Sequence, residues 1–524
     1  MVDALARGYD RFTGLLFRHG WLGTLVTLGL LVVAARIYRQ MGTDFLPAMD
    51  EGSIVMDYWT PPGTSLTDTD QMLRVAEKQI VATPGVVSYS RRLGTQMGFF
   101  ITEPNTGDYL INLAPRQSRR PIGQIMDELR QRIAAVEPAI HTDFGQVLED
   151  NIGDLTGGTP QPVDVKIFDD DPTLLKRRAR EAATLVAQVP GIRDVFNGMT
   201  IAGPALEVRV HPEAAARYGL STDSVEAAVE PALVGTVAGS ARVGERVYDV
   251  RVFVNAGDGA ANLKRLPVRL PNGKLLPLGS VASVQTGPPE TEIDRENLRS
   301  YLGVTARLSG RDLGSAIHDI QQTLKAHLPR APGMSIEYGG MYAQQQSSFA
   351  ELFIVLLAGL VLVSIVVLFE FADWRAPIAT TLTALASLAG VLELLKLTGM
   401  TLNISSYVGA IMMVGIVGEN AIFVIHEGKL ELQRGLPTAQ AWTEASRRRL
   451  RPVAMTILAT ALALSPLALA LGEGSQLMQP LAIAVIGGFV LSGPAVLFLL
   501  PSVYALLDPK GRLGRGPAQA IDAA

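Results

Sequence analysis

Six apolar runs set the organisation of this 524-residue chain. About 20 mostly apolar residues cross the hydrocarbon core of a bilayer as a helix, and the runs are close to that length or longer. We interpret the first as an uncleaved span rather than a signal peptide, because it starts late and Arg36 follows its small residues. The six predicted spans are Trp21–Arg36, Leu352–Phe369, Ala376–Leu395, Leu402–Ile425, Pro452–Leu471 and Leu481–Leu507.

Positive charge is concentrated in three segments that flank these spans. Arg7, Arg11 and Arg18 precede the first span, residues 447–451 are rich in arginine before the fifth, and residues 510–515 carry Lys and Arg after the sixth. With six spans these segments lie on one side of the membrane, so the positive-inside rule predicts that both termini are cytoplasmic. Residues 40–350 are then exported as one large domain.

The exported stretch repeats one pattern four times. Each copy consists of an amphipathic helix, a proline-containing turn and a β-branched run, because proline cannot continue a helix and glycine readily takes the turn. With the strands that precede them, the copies predict two β-α-β-β-α-β units. The second unit is longer, and residues 205–285 are predicted to be an insertion within it. The four copies are residues 71–90, 129–144, 175–196 and 321–338.

Composition excludes several classes of chemistry. The chain has no cysteine, which excludes disulfides and thiolate metal sites, and its net charge of −4 gives no support for a nucleic-acid partner. It has no P-loop, no Rossmann glycine fingerprint and no H-E-x-x-H motif, and its six histidines show no metal-binding spacing. The sequence therefore predicts no catalytic site, no resident metal and no cofactor. An ion gradient is the remaining energy source for work across a membrane.

One acidic residue stands inside the fourth apolar run. Glu419 lies beside Asn420, in a place where an ionised carboxylate is costly. A carboxyl group that alternates between charged and neutral forms can couple proton entry to helix repacking, and Gly409, Gly415 and Gly418 permit close, movable neighbours. Asn420 is predicted to hydrogen-bond this carboxyl group or a facing helix. We interpret Glu419 as functional, against the alternative of a static interhelical hydrogen bond.

Five local stretches together resemble one transporter family. With the order of predicted elements, they resemble the C-terminal half of a resistance–nodulation–division (RND) efflux transporter over nearly the whole chain. The resemblance is closest to the heavy-metal-efflux branch, which carries a glutamate where Glu419 stands, whereas drug-exporting relatives carry a lysine. The stretches are GTDFLPAMDEGSI after the first span, ARYGLSTDSVEAAV in the insertion, MTLNISSYVGAIMMVGIVGENAI in the fourth span, SRRRLRPVAMT before the fifth and PLAIAVIGGFVLSGPAVLFLLPSVYALL in the sixth.

The resemblance implies an α-helical membrane protein with an α/β periplasmic domain, located in the bacterial inner membrane. It has six transmembrane helices, two ferredoxin-like β-α-β-β-α-β pore subdomains and an inserted docking subdomain. The implied divisions are a cytoplasmic amphipathic helix (1–17), transmembrane helix 1 (18–40), pore subdomain 1 (46–158), pore subdomain 2 (159–204 and 286–345), the docking subdomain (205–285), transmembrane helices 2–6 (350–507) and a cytoplasmic tail (508–524).

The resemblance also implies a proton relay in the membrane. Glu419 and Asn420 are the predicted relay residues. Copper-exporting relatives have a lysine just before the Met-Thr of the fifth span, where this chain reads RPVAMT. If the relay needs a cation, Arg451 or a residue in another chain is predicted to supply it, and Thr456 is predicted to support the relay.

A substrate cleft is implied between the two pore subdomains. Copper and silver exporters line it with methionines, because thioethers suit Cu(I). At the corresponding positions this chain has Asp57, Thr106 and Asp154, with Met56 and Met97 nearby. Carboxylates favour a harder divalent cation or an organic cation over Cu(I).

Several partners follow from the resemblance alone. The chain is expected to act as a proton antiporter with the N-terminal half of the pump, either a separate chain or a missing part of the same chain. A trimer, a periplasmic adaptor, an outer-membrane channel and the lipid bilayer complete the expected assembly. Two other functions stay open: an RND exporter of drugs or lipids, and a membrane-anchored periplasmic scaffold that transports nothing. A scaffold gains nothing from an acid buried in the membrane, so Glu419 argues for transport.

Overall fold

The computed structural model describes residues 13, 16, 17, 19–96, 102–201, 203, 206–254, 260–286, 292–329, 332–472 and 474–507. The predicted helix 1–17 (beyond Thr13, Leu16 and Phe17), Met97 and the predicted tail 508–524 lie outside the described residues. In chain order the helices are α1 Gly20–Gln40, α2 Leu66–Ala82, α3 Ile122–Val136, α4 Val147–Gly157, α5 Pro172–Ala187, α6 Pro212–Arg217, α7 Thr222–Leu233, α8 Ala260–Leu263, α9 Leu313–His327, α10 Gly340–Phe371, α11 Arg375–Leu397, α12 Ile404–Gln433, α13 Thr438–Ala468, α14 Gln479–Pro494 and α15 Leu500–Leu507. The strands are β1 Ser53–Trp59, β2 Val86–Leu93, β3 Thr106–Leu113, β4 His141–Gly145, β5 Val163–Phe168, β6 Ile192–Phe196, β7 Leu206–Val210, β8 Thr236–Val243, β9 Arg246–Val252, β10 Pro267–Arg269, β11 Leu275–Pro277, β12 Ala282–Thr286, β13 Asp294–Glu296, β14 Arg299–Leu308 and β15 Ser335–Gly339.

Six helices of the described chain are long and apolar enough to cross a membrane, at the six predicted places. They are α1, α10, α11, α12, α13 and the pair α14–α15, which a π-helical turn at Ala495–Leu499 joins. The largest extensions beyond the predicted spans are in three helices: α10 starts at Gly340, α12 continues to Gln433 and α13 starts at Thr438. These additional turns are largely polar, so the apolar runs marked only the part suited to hydrocarbon.

Helix α12 packs against four other spans, α10, α11, α13 and α14. Glycines make several of these contacts close. A Cβ at Gly409 would lie 2.8 Å from Cβ of Ala484 in α14, and a Cβ at Gly418 would lie 2.6 Å from Cγ1 of Val363 in α10. Small residues that let helix backbones approach are the usual basis of association in membranes.

The first α/β unit (residues 53–145) follows the order strand, helix, strand, strand, helix, strand, as the repeats predict. Its antiparallel sheet has the strand order β2-β3-β1-β4. Helices α2 and α3 cover one face, and their apolar side chains form a core with alternate residues of the strands, such as Ile54, Tyr58 and Ile111. The opposite face of the sheet carries no helix of this unit.

The second α/β unit (residues 163–196 and 294–339) repeats this arrangement. Its sheet has the order β13-β14-β5-β15, and β6 pairs with the other part of β14. Helices α5 and α9 cover one face. The segment between β6 and β13 forms its own core around β7, β10 and β12, and it includes the two-stranded ribbon β8–β9, in which every residue is exposed. The predicted insertion therefore folds as a separate part of the structure.

Candidate functional site

A cleft of about 1000 Å³ lies between the two α/β units. It is lined by residues of the helix-free faces of both sheets, since side chains alternate between the faces of a strand. On β1, Asp57 and Trp59 line the cleft, whereas Met56 and Tyr58 point into the core of the first unit. The alternation thus places acidic side chains on the cleft face of an otherwise apolar strand.

Three carboxylates form a row across the first sheet. Asp57 on β1 is paired in register with Asp108 on β3 and with Asp143 on β4. Arg92 makes a bidentate ion pair with Asp108, with N–O distances of 2.5 and 2.7 Å. Arg307, which comes from β14 of the second unit, donates to both oxygens of Asp143 at 2.8 and 3.1 Å. Both ends of the row are therefore neutralised by arginine, and the middle is not.

The surroundings of Asp57, the middle carboxyl group, raise its pKa. Burial raises the pKa of Asp57 well above its usual range, and the charges of Asp143 and Asp150 raise it further. The charge of Arg307 lowers it, without restoring the usual value. A carboxyl group with a raised pKa keeps its proton at a higher pH than an exposed aspartate does.

Arg307 also ties α4 to the cleft. Its Nη1 donates to Asp150 Oδ1 at 2.8 Å, and the guanidinium group is almost completely buried. A Cβ at Gly145 would lie 2.3 Å from Asp150 Oδ1 and 2.7 Å from Arg307 Nη1, so the end of β4 needs glycine to admit this pair. The two units are therefore joined by a buried ionic network at one edge of the cleft.

Two further contacts join the units. Arg130 of α3 pairs with both oxygens of Asp194 on β6, at 2.7 and 2.5 Å. The rings of Trp59 and Phe196 stack with their centroids 5.9 Å apart. Together with the Arg307 network, these contacts hold the two walls of the cleft at a defined separation.

The second wall carries its own acidic group. Asp164 and Lys166 of β5 both line the cleft, and Lys166 Nζ is bound to Glu296 Oε2 at 2.8 Å. Burial raises the pKa of Asp164 to about 6, while the charge of Lys166 lowers it and those of Glu296 and Asp294 raise it. The nearby cation is thus already paired with a different carboxylate.

The structure brings three of the five predicted cleft residues together. Asp57, Thr106 and Asp154 all line the cleft. Met56 does not line it, because it is 1% exposed and packs in the core of the first unit. Met97 lies outside the described residues. Within the described ranges, no group of three His, Cys, Asp or Glu side chains is arranged to hold a metal ion.

Glu419 lies on a face of α12 that the described helices do not cover. The exposed residues recur at helical spacing along this face, from Met412 (47% exposed) through Gly415 and Glu419 to Phe423 (45% exposed). A Cβ at Gly415 would meet no atom within 4 Å. The close contacts expected at Gly409 and Gly418 are present, whereas Gly415 opens onto the uncovered face.

Asn420 and Thr456, two of the predicted relay residues, each donate a hydrogen bond to a backbone carbonyl oxygen of their own helix. Asn420 was predicted to bond the Glu419 carboxyl group or a facing helix, but its Nδ2 donates to the carbonyl oxygen of Ile416 in its own helix at 3.2 Å. Thr456 similarly donates to the carbonyl oxygen of Pro452 at 3.1 Å. Thr456 and Arg451 are both exposed on α13.

Sequence reasoning missed the residues that complete the cleft. Asp108, Asp143 and Asp164 each stand next to apolar core residues within a strand. An acidic residue that alternates with apolar ones was therefore the signal available in the sequence. Arg92 and Arg307 had no such signal, because their partners lie on other strands or in the other unit.

Comparison with known proteins supports the assignment of fold and class. A profile of the AcrB/AcrD/AcrF family matches residues 1–508. The chain is 28% identical over 493 residues to the cobalt-zinc-cadmium resistance protein CzcA of Cupriavidus metallidurans, covering 92% of this chain and 46% of that protein. It is 29% identical over 508 residues to the nickel and cobalt resistance protein CnrA of the same organism, covering 94% and 47%.

A solved structure agrees with these relatives. The crystal structure of a heavy metal efflux pump matches with a TM-score of 0.85 and 28% identity, over 97% of this chain and 53% of that chain. The chain spans about half the length of the curated relatives it matches.

Proposed function

The chain belongs to the AcrB/AcrD/AcrF family of RND proteins, and on that premise we propose that it forms one half of a proton-driven pump that exports cations from the cell envelope. The C-terminal half of the RND architecture is the part it resembles. Its two α/β units are the pore subdomains, each ferredoxin-like, and the inserted segment between them is the docking subdomain. The cleft between the units receives the substrate.

One observation carries this proposal: Glu419 stands on a membrane face that the described chain leaves uncovered. A carboxylate exposed to lipid tails is costly, so intramembrane acids face a protein interior or a water-filled path. We infer that the missing half of the pump covers this face and supplies the groups that exchange protons with Glu419. Thr456 and Arg451 are exposed on the adjacent helix α13, and we propose that the same partner covers them.

Two observations support a divalent metal cation as the substrate: the acidic residues of the cleft and the names of the relatives. The cleft residues Asp57 and Asp154 offer oxygen ligands, which suit hard divalent cations better than Cu(I). The relatives CzcA and CnrA are named for resistance to cobalt, zinc, cadmium and nickel. An RND exporter of drugs or lipids is the second candidate function. Two acidic cleft walls, however, favour a metal cation over a drug or a lipid as the substrate.

The ribbon β8–β9 supports assembly with further copies. An isolated two-stranded ribbon has little stability of its own, and this one exposes Val247, Tyr248, Val250 and Val252. We propose that it packs against a neighbouring copy outside the membrane, in a trimer whose helices span the inner membrane. The adaptor and the outer-membrane channel complete the route out of the cell.

The test is the substitution Glu419→Gln in the complete pump. Gln keeps the shape of the side chain and cannot exchange a proton, so we expect the export of Co(II) from intact cells, driven by the proton gradient, to fall to background. Glu393→Gln, at an exposed acid near the end of α11, is the matched control and should keep transport. Full transport by Glu419→Gln would sink the proposal. A scaffold would show no gradient-dependent export even in the unsubstituted protein.

A further inference from the structure

The segment 42–51, between the first membrane span and β1, contacts the start of α12 and both α/β units. Its contact with α12 is made by backbone groups. Asp44 N donates to the carbonyl oxygen of Leu402 at 2.9 Å, and Leu402 N donates to the carbonyl oxygen of Gly42 at 2.9 Å. This part of the segment is therefore fixed to the N-terminal end of α12, the helix that carries Glu419.

The same residues are fixed to the second α/β unit. Thr43 N donates to Oδ2 of Asp312, the N-cap residue of α9, at 3.0 Å. Leu313 N donates to Asp44 Oδ1 at 2.8 Å. A Cβ at Gly314 would lie 2.0 Å from Thr43 Oγ1, so α9 approaches the segment as closely as glycine allows. The start of α12 and the second wall of the cleft are thus held together by several short contacts.

The first α/β unit is attached to the membrane helices in a different way. A short 3₁₀ helix at Ser475–Leu477 lies between α13 and α14. Gln476 Oε1 accepts a hydrogen bond from the backbone N–H of Asp50 at 2.6 Å. Ser405, in the first turn of α12, donates to the carbonyl oxygen of Leu477 at 2.8 Å. Helix α12 therefore reaches the first unit through two side-chain hydrogen bonds in series.

Asp50 and Glu51 carry this contact to the first wall of the cleft. The carboxylate of Asp50 pairs with the buried guanidinium group of Arg119, just before α3. The carboxylate of Glu51 accepts hydrogen bonds from the backbone N–H groups of Leu148 at 2.8 Å and Glu149 at 3.4 Å, in the first turn of α4. Helix α4 also contributes to the buried ionic network at the edge of the cleft.

We propose that the hydrogen bond between Gln476 and Asp50 is a releasable latch that positions the first wall of the cleft according to the state of α12. A single side-chain hydrogen bond can open at little cost, since water replaces either partner, whereas the contacts of α12 with the second wall break only together. When α12 shifts, the second wall moves with it, and the first wall follows only while the latch is closed. The separation of the walls then changes when the latch opens. The inference rests on the proposed proton-driven export, and Gln476 is a positioning residue in it.

The experiment is hydrogen–deuterium exchange of the complete pump in detergent, measured in a peptide that spans residues 147–157. The first amides of α4 suit this measurement, because Glu51 accepts their hydrogen bonds. Glu419→Gln places a permanently neutral side chain in α12, as in the protonated state. We expect it to change the exchange rate of the peptide by about threefold or more, because local opening sets that rate.

The latch variant is Gln476→Met, which removes the acceptor oxygen and keeps the length of the side chain. In this background, Glu419→Gln should change the exchange rate by less than about 1.5-fold. Gln479→Met is the matched control. Gln479, at the first position of α14, donates to the carbonyl oxygen of Ala468 at 2.8 Å, a contact within the membrane hairpin. The full response to Glu419→Gln should remain in the control background.

Two results would overturn the latch. One is an exchange rate that does not respond to Glu419→Gln in the otherwise unsubstituted pump, and the other is an equal response in the Gln476→Met and Gln479→Met backgrounds. If Gln476→Met fails to fold, Ser405→Ala, which breaks the other hydrogen bond of the series, decides by the same criterion. Loss of Co(II) export in Glu419→Gln together with an equal response in both backgrounds would uphold the relay and reject the latch. Full export by Glu419→Gln would reject the relay itself.

Discussion

Arg307 donates to both carboxylate oxygens of Asp143, at 2.8 and 3.1 Å, and this pair joins the two α/β units across the edge of the cleft. The two residues are separated by 164 positions in the chain. Gln161 donates to the same carboxylate at 2.7 Å. With Asp150 on its other nitrogen, Arg307 is the shared cation of a fully hydrogen-bonded buried network.

We expect Arg307→Met to loosen this junction. Removing one partner of a buried pair leaves the remaining charge uncompensated, which typically costs about 3–5 kcal/mol, and here Asp143 and Asp150 would both lose their cation. The measurement is thermal unfolding in detergent, together with the rate of proteolysis between the two units. Arg209→Met is the control, since Arg209 and Glu207 form a solvent-exposed ion pair on β7, and such pairs contribute little to stability. Equal melting of the two variants would contradict the structural role of Arg307.

Local sequence patterns predicted the helices and strands whose formation depends on residues close together in the chain. The apolar runs located all six long helices, because a span is specified by its own hydropathy. The strand and helix order of the first unit also followed from the repeats. Periodicity could have assigned Met56 to the core, since it alternates with Asp57 on β1.

The junction between the units was beyond local reasoning. Asp194 lies where the pairing of β6 with β14 shifts register, with a φ of 48°, and its carboxylate reaches Arg130 of the first unit. A bulge redirects a side chain in a way that depends on the partner strand. Likewise, the sequence marks Glu419 as unusual in an apolar run but does not say which face of α12 the bundle leaves uncovered.

Gly418 and Gly415 give a matched test of the packing of α12. A Cβ at Gly418 would lie 2.6 Å from Val363 Cγ1, whereas a Cβ at Gly415 meets nothing within 4 Å. We expect Gly418→Ala to destabilise the chain by about 1–3 kcal/mol, the usual cost of overpacking, and Gly415→Ala to leave its stability unchanged within about 1 kcal/mol. Melting of the isolated chain in detergent measures both.

The same pair of variants tests the uncovered face. If the other half of the pump packs on Gly415, then Gly415→Ala should reduce co-purification of that half while the chain itself stays stable. Destabilisation of the isolated chain by Gly415→Ala, equal to that by Gly418→Ala, would contradict the placement of this face.

The buried carboxyl group of Asp164 makes the stability of the folded chain depend on pH in a defined window. Because the folded-state pKa of Asp164 lies above the ordinary value of 3.8, the native protein holds more protons than the unfolded chain between about pH 4 and pH 6. The contribution of Asp164 to stability is therefore full at low pH and decreases as the pH rises through this window. We expect Asp164→Asn to remove this decrease from the melting temperature measured against pH. A parallel pH dependence in the variant and the unsubstituted protein would show that another group carries the proton.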